Sequence, residues 1–584
     1  MNNKKIGVGL LAFLPILTLL ITPSCKKYAD PPPYFEDTIA VVKQPLRKVL
    51  IIGVDGAVGT EYKAMQLPVL VGLQEHSKYS WEAVSDESTT DAASWKTLMT
   101  GISYSRHAIH DSSFIYTQPA GGAAHGTVNS YPSFFSYILS SSKPDIKTTV
   151  ISQFSNLLTR LVPEVEDKVL VSSDAAVKDS AVARVKRANA ELVVVNFNSV
   201  AIAGLTHGFS ATAPGYKSAA LTVDGYIGEI MTALKTRPEY NKDEEWLVVL
   251  TGTHGGVGNA YGGGSKQEVS VFSFYYNEKF KSLELYKPPF INAQLKGGKG
   301  TGFRAVLNDP NLYNPGTGPM TIEMKVKGTR SGGYPLFFSK KGPATGNMLD
   351  SGDPGFLFFT GGNNNFNIEA RGTTGRARPG AGPAVIFNND WHTISTVFVD
   401  SLPNRRWMKM YVDGIKGSET EITSWGSITS AQPLILGYSE GNAGDAATAH
   451  IIFNVADVRI FNVGLSSAEV AANVCSKDIT QHPRYTNLIG YWPCNDGIGG
   501  RFRNYAPGYE NKDFIFQNSF LWESLTQVPC SSPETFDPAK KYLVLSSSGV
   551  ANNVFYWLRI PTASSWGFEG SSWLSQYEIE FVKL

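Results

Sequence analysis

The first half of the chain alternates short apolar runs with amphipathic, helix-like segments. Between residues 47 and 285 the runs KVLIIGVDG, TTVISQF, ELVVVNF and EWLVVLTGTHGG are each bounded by turn-forming residues. Strands that alternate with helices predict a parallel sheet covered by helices on both faces. Sites in such sheets form at the carboxyl ends of strands, so the loops after Val54, Val195 and Leu250 are where we look for chemistry.

From about residue 291 the helical period fades and short alternating apolar runs replace it. Glycine, asparagine, threonine and aromatic residues dominate, and the runs include PMTIEMKVKG, WHTISTVFVD, RWMKMYVDG and PLILGYS. Many short alternating runs separated by turns predict an antiparallel β-sandwich. We therefore expect a multidomain chain, with an α/β domain at residues 47–290 and an all-β domain at 291–480.

The last hundred residues carry no recognisable chemistry. They open with LIGYWPCNDG and close with YEIEFVKL, and both stretches are strand-like. We expect residues 481–584 to form a small β-rich C-terminal domain.

The N-terminus has the pattern of an export signal. Lys4 and Lys5 precede an apolar run over residues 6–22, which is typical of a signal peptide and short for a membrane span. A small residue, Ser24, then precedes Cys25. This arrangement resembles a bacterial lipoprotein signal, and the alternative is a plain secretory peptide with an incidental cysteine.

The lipoprotein resemblance implies that residues 1–24 are removed and that Cys25 carries the lipid, although Pro23 departs from the usual form of the signal. Residues 25–46 follow as a polar, proline-rich stretch, which suits a semi-rigid tether. We expect a body held at a membrane by its lipid.

Charge and cysteine content narrow the classes of partner. The 52 Lys and Arg residues balance 51 Asp and Glu residues. A net charge of +1 gives no electrostatic reason to expect a nucleic-acid partner. Three cysteines remain besides Cys25, namely Cys475, Cys494 and Cys530. An exported chain permits one disulfide among them and leaves one thiol over, with the pairing open. Their spacing fits no metal motif.

Three stretches of the α/β domain match one known family in order. VLIIGVDGA contains Asp55, SWKTLMTGISYSRHAIHDSSF follows a nucleophile position, and LTGTHGG contains His254. Together they resemble the alkaline phosphatase superfamily, in particular its type I phosphodiesterase and nucleotide pyrophosphatase branch. The resemblance implies an alkaline-phosphatase-like α/β sandwich. It also implies a reaction in which two cations, commonly zinc, clamp an ester that a Thr or Ser attacks.

Most metal ligands of that family are replaced in this chain. The family has Asp-x-x-Gly-His after its middle strand, whereas the ungapped match here places Ala201 at the Asp and Leu205 at the His. The late Asp-His pair is Thr253-His254, and the stretch GNAYGGGS lacks the last expected histidine. Ala and Leu cannot coordinate a cation, so we expect the zinc pair to be lost.

Two ligand positions and an altered nucleophile position remain. Asp55 and His254 are vestigial metal ligands on this alignment, and Asp91 stands at the nucleophile position. A one-residue slip would offer Thr90 instead. The alternatives are that Asp55 caps the next helix, that His254 is a hydrogen-bonded loop histidine, and that Asp91 is a capping or solvated carboxylate.

The second domain resembles laminin-G-like or concanavalin-like jelly rolls. YVDG, LILGYS, ADVRIF and LSSAEV carry this resemblance, with Trp391 expected between the sheets and Asp413–Gly414 in a tight hairpin turn. The resemblance implies glycan binding, in some members through calcium, and a spacer or docking domain is the alternative. Aromatic residues at 312–316 and 356–366 either stack on sugars or fill the core.

The order of the three parts resembles cell-surface lipoproteins of Bacteroidetes. We expect a non-enzymatic outer-membrane lipoprotein that binds a glycan or a membrane-protein partner. One alternative is an active phosphodiesterase, or a related phosphate or sulfate ester hydrolase, that uses Asp55, Asp91 and His254. Another is an accessory subunit of an outer-membrane uptake or assembly complex.

Overall fold

A computed structural model describes most of the chain from residue 44 to residue 581. The gaps in the described range are residues 117–130, 299–302, 343–345, 350, 362, 380–383, 403, 440, 443–449, 519, 521, 526–529, 531–535 and 571. The predicted signal peptide, Cys25 and nearly all of the tether lie outside the described residues. Within them, no helix combines the length and the apolar character needed to cross a membrane.

The first domain is built on a nine-stranded sheet within the described residues. From one edge to the other its strands are Lys541–Tyr542, Leu283–Tyr286, Ser77–Val84, Ser270–Tyr276, Glu244–Gly252, Leu46–Val54, Leu192–Phe197, Thr148–Ser152 and Asp167–Leu170. Four neighbouring pairs, from Glu244–Gly252 to Asp167–Leu170, are parallel, as the sequence predicts. The sheet becomes mixed at Ser270–Tyr276, which runs antiparallel to both of its neighbours.

Helices cover both faces of this sheet. They are Gly59–Met65, Pro68–Leu73, Asp91–Thr100, Tyr104–His107, Phe134–Leu139, Asp174–Val185, Ser199–His207, Pro214–Lys235 and Lys266–Val269. The central strand of this sheet is Leu46–Val54. Its residues are uniformly apolar because both of its faces are buried: Leu50 and Ile52 enter the core on one face, and Val49 and Ile51 enter the core on the other.

Two antiparallel sheets form the second domain and enclose one apolar core. The first sheet contains Leu295–Gly298, His450–Phe461, Met320–Ser331, His392–Leu402, Arg405–Val412 and Ile415–Glu421, with Leu488–Trp492 beside His450–Phe461. The second contains Arg376–Ala377, Phe366–Arg371, Gly355–Thr360, Leu336–Lys341, Leu434–Leu436, Arg304–Leu307, Phe514–Gln517 and Arg501–Phe502. The predicted sandwich is confirmed.

Local features of the sandwich confirm one expectation and correct another. Asp413 and Gly414 have φ values of 52° and 77°, and positive values at both positions identify the predicted two-residue hairpin turn. Trp391 does not lie between the sheets. It is half-buried and packs edge-on against Phe290, while Trp492 fills the sandwich core.

The predicted C-terminal domain is not a separate body. Strands Leu488–Trp492, Arg501–Phe502 and Phe514–Gln517 belong to the sandwich sheets, and Lys541–Tyr542 extends the α/β sheet. The strand-like end of the chain is helical, with a 3₁₀ helix at Trp573–Glu580. Residues 481–584 are thus divided between the two larger domains.

A helix near the C-terminus completes the core of the α/β domain. Helix Gly549–Trp557 contributes Val550, Phe555 and Trp557 to the apolar cluster that also contains Val49 of the central strand. The Trp557 indole N–H donates to the Lys48 carbonyl at 3.0 Å. The last described residues therefore cover one face of the first sheet.

One disulfide forms, and one cysteine is left over. Cys475 bonds to Cys530, and Cys494 is a buried free thiol. The bond joins the end of the sandwich to the C-terminal stretch. This pairing resolves the choice that the spacing left open.

Candidate functional site

Asp55 lies at the carboxyl end of the central strand and is almost fully buried. One carboxylate oxygen, Oδ1, accepts hydrogen bonds from the Trp95 indole N–H at 2.9 Å and the Thr253 hydroxyl at 2.5 Å. The other, Oδ2, accepts from the Asn196 amide at 2.8 Å. Three protein donors thus surround this carboxylate.

Asp55 does not cap a helix, which corrects that alternative reading. The next helix, Gly59–Met65, begins after Val58 and has no side-chain cap. Burial, followed by the negative charge of Asp91, raises the pKa of Asp55 to about 7. The surrounding donors oppose the rise without cancelling it.

His254 and Asp91 meet beside Asp55. The buried His254 ring places Nε2 3.0 Å from Asp91 Oδ1 and Nδ1 2.7 Å from the Gly255 carbonyl oxygen. The Tyr261 hydroxyl donates to Asp91 Oδ2 at 3.2 Å, and its ring stacks on His254 with centroids 4.3 Å apart. These residues form a compact group at the ends of two strands.

The partners of His254 set its protonation. The Gly255 carbonyl oxygen can only accept, so Nδ1 carries a hydrogen, and Nε2 faces the Asp91 carboxyl group. Burial lowers the pKa of His254, but the hydrogen bond and charge of Asp91 outweigh burial, and the net pKa is raised. The alternative of a hydrogen-bonded loop histidine therefore describes His254 better than a free ligand does.

The nucleophile position opens a helix. Asp91 is the first residue of helix Asp91–Thr100, and its side chain is 42% exposed. The neighbouring Thr90 is the N-cap, since its hydroxyl oxygen accepts from the Ala93 N–H while its O–H donates to the His110 carbonyl oxygen. Neither Asp91 nor Thr90 is without hydrogen-bond partners.

The stretch that contains Ala201 and Leu205, where the resemblance implies two metal ligands, is helical. Ala201 and Leu205 both lie in helix Ser199–His207, where Ala201 is buried and Leu205 is 44% exposed. A Cβ atom on Gly56 would lie 2.5 Å from the Ala201 Cα, so the turn after Asp55 touches this helix directly. His207 is exposed at the end of the helix, against Gly215.

The residues present do not fit a zinc pair. Asp55, Asp91 and His254 are the carboxyl and imidazole groups of this cluster, and three such groups are too few for two four-coordinate zinc ions. Asp55 already accepts three hydrogen bonds, and Ala201 and Leu205 bring no donor atom. Across the described part of the chain, no group of three or more His, Cys, Asp or Glu side chains is arranged to hold a metal ion, in the sandwich included.

A second buried polar group, around Asp86 and His107, has no signal in the sequence. The Asp86 carboxylate accepts from the Thr97 hydroxyl and, at 2.7 Å, from the Tyr104 N–H. His107 accepts at Nδ1 from the Ile109 N–H, so its Nε2–H donates to Thr97 Oγ1 at 3.0 Å. Burial lowers the pKa of His107 to about 3 and raises the pKa of Asp86 to about 8. The low pKa keeps His107 neutral within this hydrogen-bonded group.

The candidate sugar-stacking residues of the sandwich are core residues. Tyr313 is 1% exposed, and Phe356, Phe358 and Phe366 are fully buried in the cluster between the sheets. The core interpretation of these aromatic residues is therefore correct. Their rings are not available to a ligand.

Several residues of the site had no local sequence signal. Trp95 and Asn196 reach Asp55 from elements 40 and 141 residues away. Tyr261 lies in GNAYGGGS, where the family has a late histidine, and its hydroxyl reaches Asp91. The missing histidine was the one sign that this loop approaches the site.

Comparison with known proteins supports the fold of the second domain. Residues 299–471 match the family model described as the concanavalin A-like lectin/glucanases superfamily. No curated protein matches the chain. The matched segment is shorter than half of the chain.

Solved structures give distant likenesses. A putative sulfatase from Bacteroides thetaiotaomicron is 11% identical, with a TM-score of 0.32 over 41% of this chain and 65% of its own. A murine ectonucleotide pyrophosphatase/phosphodiesterase 5 is 13% identical, with a TM-score of 0.28 over 36% of this chain and 57% of its own. A pentraxin from Limulus polyphemus is 10% identical, with a TM-score of 0.25 over 40% of this chain and 94% of its own. We draw no functional conclusion from scores this low.

Proposed function

We propose that the protein is a non-enzymatic, lipid-anchored protein of the outer-membrane surface that binds a glycan or a membrane-protein partner. One observation supports this most, namely that Asp55 and His254 are held in hydrogen bonds within the protein while Ala201 and Leu205 offer no metal-binding atom. A two-metal hydrolase needs these groups for its cations, because charge stabilisation supplies most of its rate.

Three further features support the parts of this proposal. The family description of the sandwich, which names lectins, favours a glycan as ligand. The lipoprotein-like signal before Cys25 favours an anchor in the outer membrane, and the proline-rich tether favours a body held away from it. The near-zero net charge gives no electrostatic attraction for nucleic acid, so we propose no nucleic-acid partner.

The second candidate is an ester hydrolase with a reduced site. Its support is the exposure of Asp91, which a substrate could reach, together with the His254 ring beside it. Against it, both oxygens of Asp91 accept hydrogen bonds, from His254 and Tyr261, which weakens this carboxylate as a nucleophile or a base. An accessory subunit of an outer-membrane complex is the third candidate, and co-purification of a partner in mild detergent tests it.

Metal content and turnover test the proposal. We would purify the full chain in mild detergent, offer zinc, manganese and calcium, remove the excess and count bound ions by elemental analysis. We would then assay bis-p-nitrophenyl phosphate and p-nitrophenyl sulfate with the wild type and with Asp91→Ala. We expect no stoichiometric zinc or manganese, and no difference in turnover between the two proteins.

Two results would reject the non-enzymatic function. One is two transition-metal ions per chain, which would mean that other residues complete the site. The other is turnover by the wild type that Asp91→Ala abolishes. The exposed Asp145→Asn variant is the matched control for a nonspecific effect of removing one negative charge.

A further inference from the structure

A large cavity lies where the α/β domain, the sandwich and the C-terminal stretch meet. Its volume is about 920 Å³, and its walls include Ser105 and Arg106 of the first domain, Phe520 and Trp522 beyond the sandwich strands, and Ser548 near the C-terminus. Pockets for small molecules measure about 300–1,000 Å³, so this cavity is large enough for a ligand of several rings.

One wall is aromatic and only half-buried. The rings of Phe516 and Phe520 lie 4.9 Å apart between centroids, and those of Phe516 and Trp522 lie 5.5 Å apart. The Trp522 indole N–H donates to the Gly499 carbonyl at 2.9 Å, which fixes the orientation of the ring. Partly open aromatic faces offer apolar contact area at a small entropic cost, and the C–H face of a sugar ring packs well on such a surface.

Another part of the cavity wall is polar. The Glu569 carboxylate accepts from the Ser103 N–H at 3.1 Å, the Ser103 hydroxyl at 3.1 Å and Arg106 Nη1 at 3.0 Å. The Ser103 hydroxyl also lies 2.9 Å from the Ser105 hydroxyl. A carboxylate has about four acceptor positions, so Glu569 keeps capacity for one more donor.

Further polar groups line the cavity from two other directions. The hydroxyls of Ser546 and Ser548 lie 3.2 Å apart beside the start of helix Gly549–Trp557. Asp86 lines the cavity from the first domain, and its carboxyl group accepts hydrogen bonds from the Thr97 hydroxyl, the Tyr104 N–H and the Glu87 N–H. Hydroxyl groups both donate and accept, which matches the hydroxyls of a carbohydrate.

We propose that this interdomain cavity binds a short, uncharged oligosaccharide. The ligand rests its ring faces on Phe516, Phe520 and Trp522 and bonds through its hydroxyls to the Ser and Glu569 side. The charges in the cavity wall do not favour an anion, because the Arg106 guanidinium is already paired with Glu569 at 3.0 Å. A wholly apolar ligand is disfavoured because it would strip water from these groups without replacing its hydrogen bonds. This inference rests on the proposed glycan-binding function and locates the site within it.

The test fills the cavity from two walls and leaves the rest of the protein intact. Ser105→Phe and Ser548→Phe each place a ring in the cavity, and Ser218→Phe on an exposed face of helix Pro214–Lys235 is the matched control. Wild type and variants, as full chains in mild detergent, are first compared by thermal unfolding. They are then titrated with maltotriose, cellotriose, mannotriose and triacetylchitotriose by saturation-transfer NMR and calorimetry.

We expect at least one trisaccharide to bind the wild type and Ser218→Phe, with affinity lower by about tenfold or more in both cavity variants. A trisaccharide that binds all four proteins equally would overturn the cavity site and leave glycan binding in place. Failure of every trisaccharide to bind the wild type would count against the cavity and the glycan-binding function together, while metal content and turnover would still report separately on the lack of catalysis.

Discussion

At the scale of single residues, the side chains around Asp55 supply hydrogen-bond donors to its buried carboxyl group. The carboxylate is buried, yet Trp95, Thr253 and Asn196 each donate to it. Thr253, which aligns with an aspartate of the family that the sequence resembles, is one of these donors. A buried carboxylate beside Asp91 still resists ionisation, and its raised pKa has a consequence for stability.

The free energy of unfolding should fall as pH rises from about 4 to about 7, because Asp55 binds a proton more tightly in the folded state than in the unfolded state. The folded state keeps this proton up to the raised pKa of about 7, whereas the unfolded chain releases it near pH 4. More protons on the folded state mean that stability is highest below the unfolded pKa and is lost as pH rises. Relative to Asp55→Asn, the wild type should lose roughly 2–4 kcal/mol over this window.

Urea unfolding of both proteins between pH 4 and pH 8 measures this difference. The exposed Asp145→Asn variant is the control and should follow the wild type at every pH. A constant difference between the wild type and Asp55→Asn across the range would show that Asp55 does not titrate there.

At the scale of elements, the packing of helix Ser199–His207 determines which of its positions tolerate a polar side chain. Its buried face lies against the turn at Gly56, and its outer face is open to solvent. Ala201 and Leu205 lie one turn apart along this helix, but Ala201 is 3% exposed whereas Leu205 is 44% exposed. The two positions therefore differ in how they tolerate a polar side chain.

Ala201→Asp should destabilise the protein by about 3 kcal/mol, because a carboxylate would be buried against backbone without a partner. Leu205→His should change stability by only about 0.5 kcal/mol, because Leu205 is 44% exposed. Thermal and urea unfolding measure both effects. Equal losses would mean that the helix does not pack on Gly56 in this way.

At the scale of the whole molecule, the chain does not divide into three consecutive bodies. Residues 481–584 add strands to the sandwich and then a strand and a helix to the α/β domain. The Cys475–Cys530 disulfide ties the end of the sandwich to this stretch across a separation of 55 residues. Stability should therefore depend on the covalent bond as well as on packing.

Replacing both cysteines, as Cys475→Ser with Cys530→Ser, should lower the free energy of unfolding by roughly 2–4 kcal/mol, because the unfolded chain regains the entropy of an open loop. Dithiothreitol should lower the melting temperature of the wild type and leave that of the double variant unchanged. Cys494→Ala is the control for loss of a thiol. A melting temperature of the wild type that is insensitive to reductant would contradict this role.

The sequence predicts the elements well and their distant contacts poorly. The apolar runs that end at Val54, Val195 and Leu250 all belong to strands of one sheet, and parallel pairing brings Asp55 and His254 together as expected. Periodicity reports what is local along the chain. It carries no sign that Trp95 donates to Asp55, or that the apolar residues near Trp557 cover a strand from the first domain.

The return of the C-terminus to the first strand has a consequence for how the protein is made. Trp557 and Lys48 form a hydrogen bond across 509 residues, and Arg47 bonds to the Trp557 carbonyl across 510. Contacts this distant in sequence slow folding, since a long loop must close before they form. The domain that leaves the ribosome first is completed last, and until then one face of its sheet stays open to chaperones and to proteases.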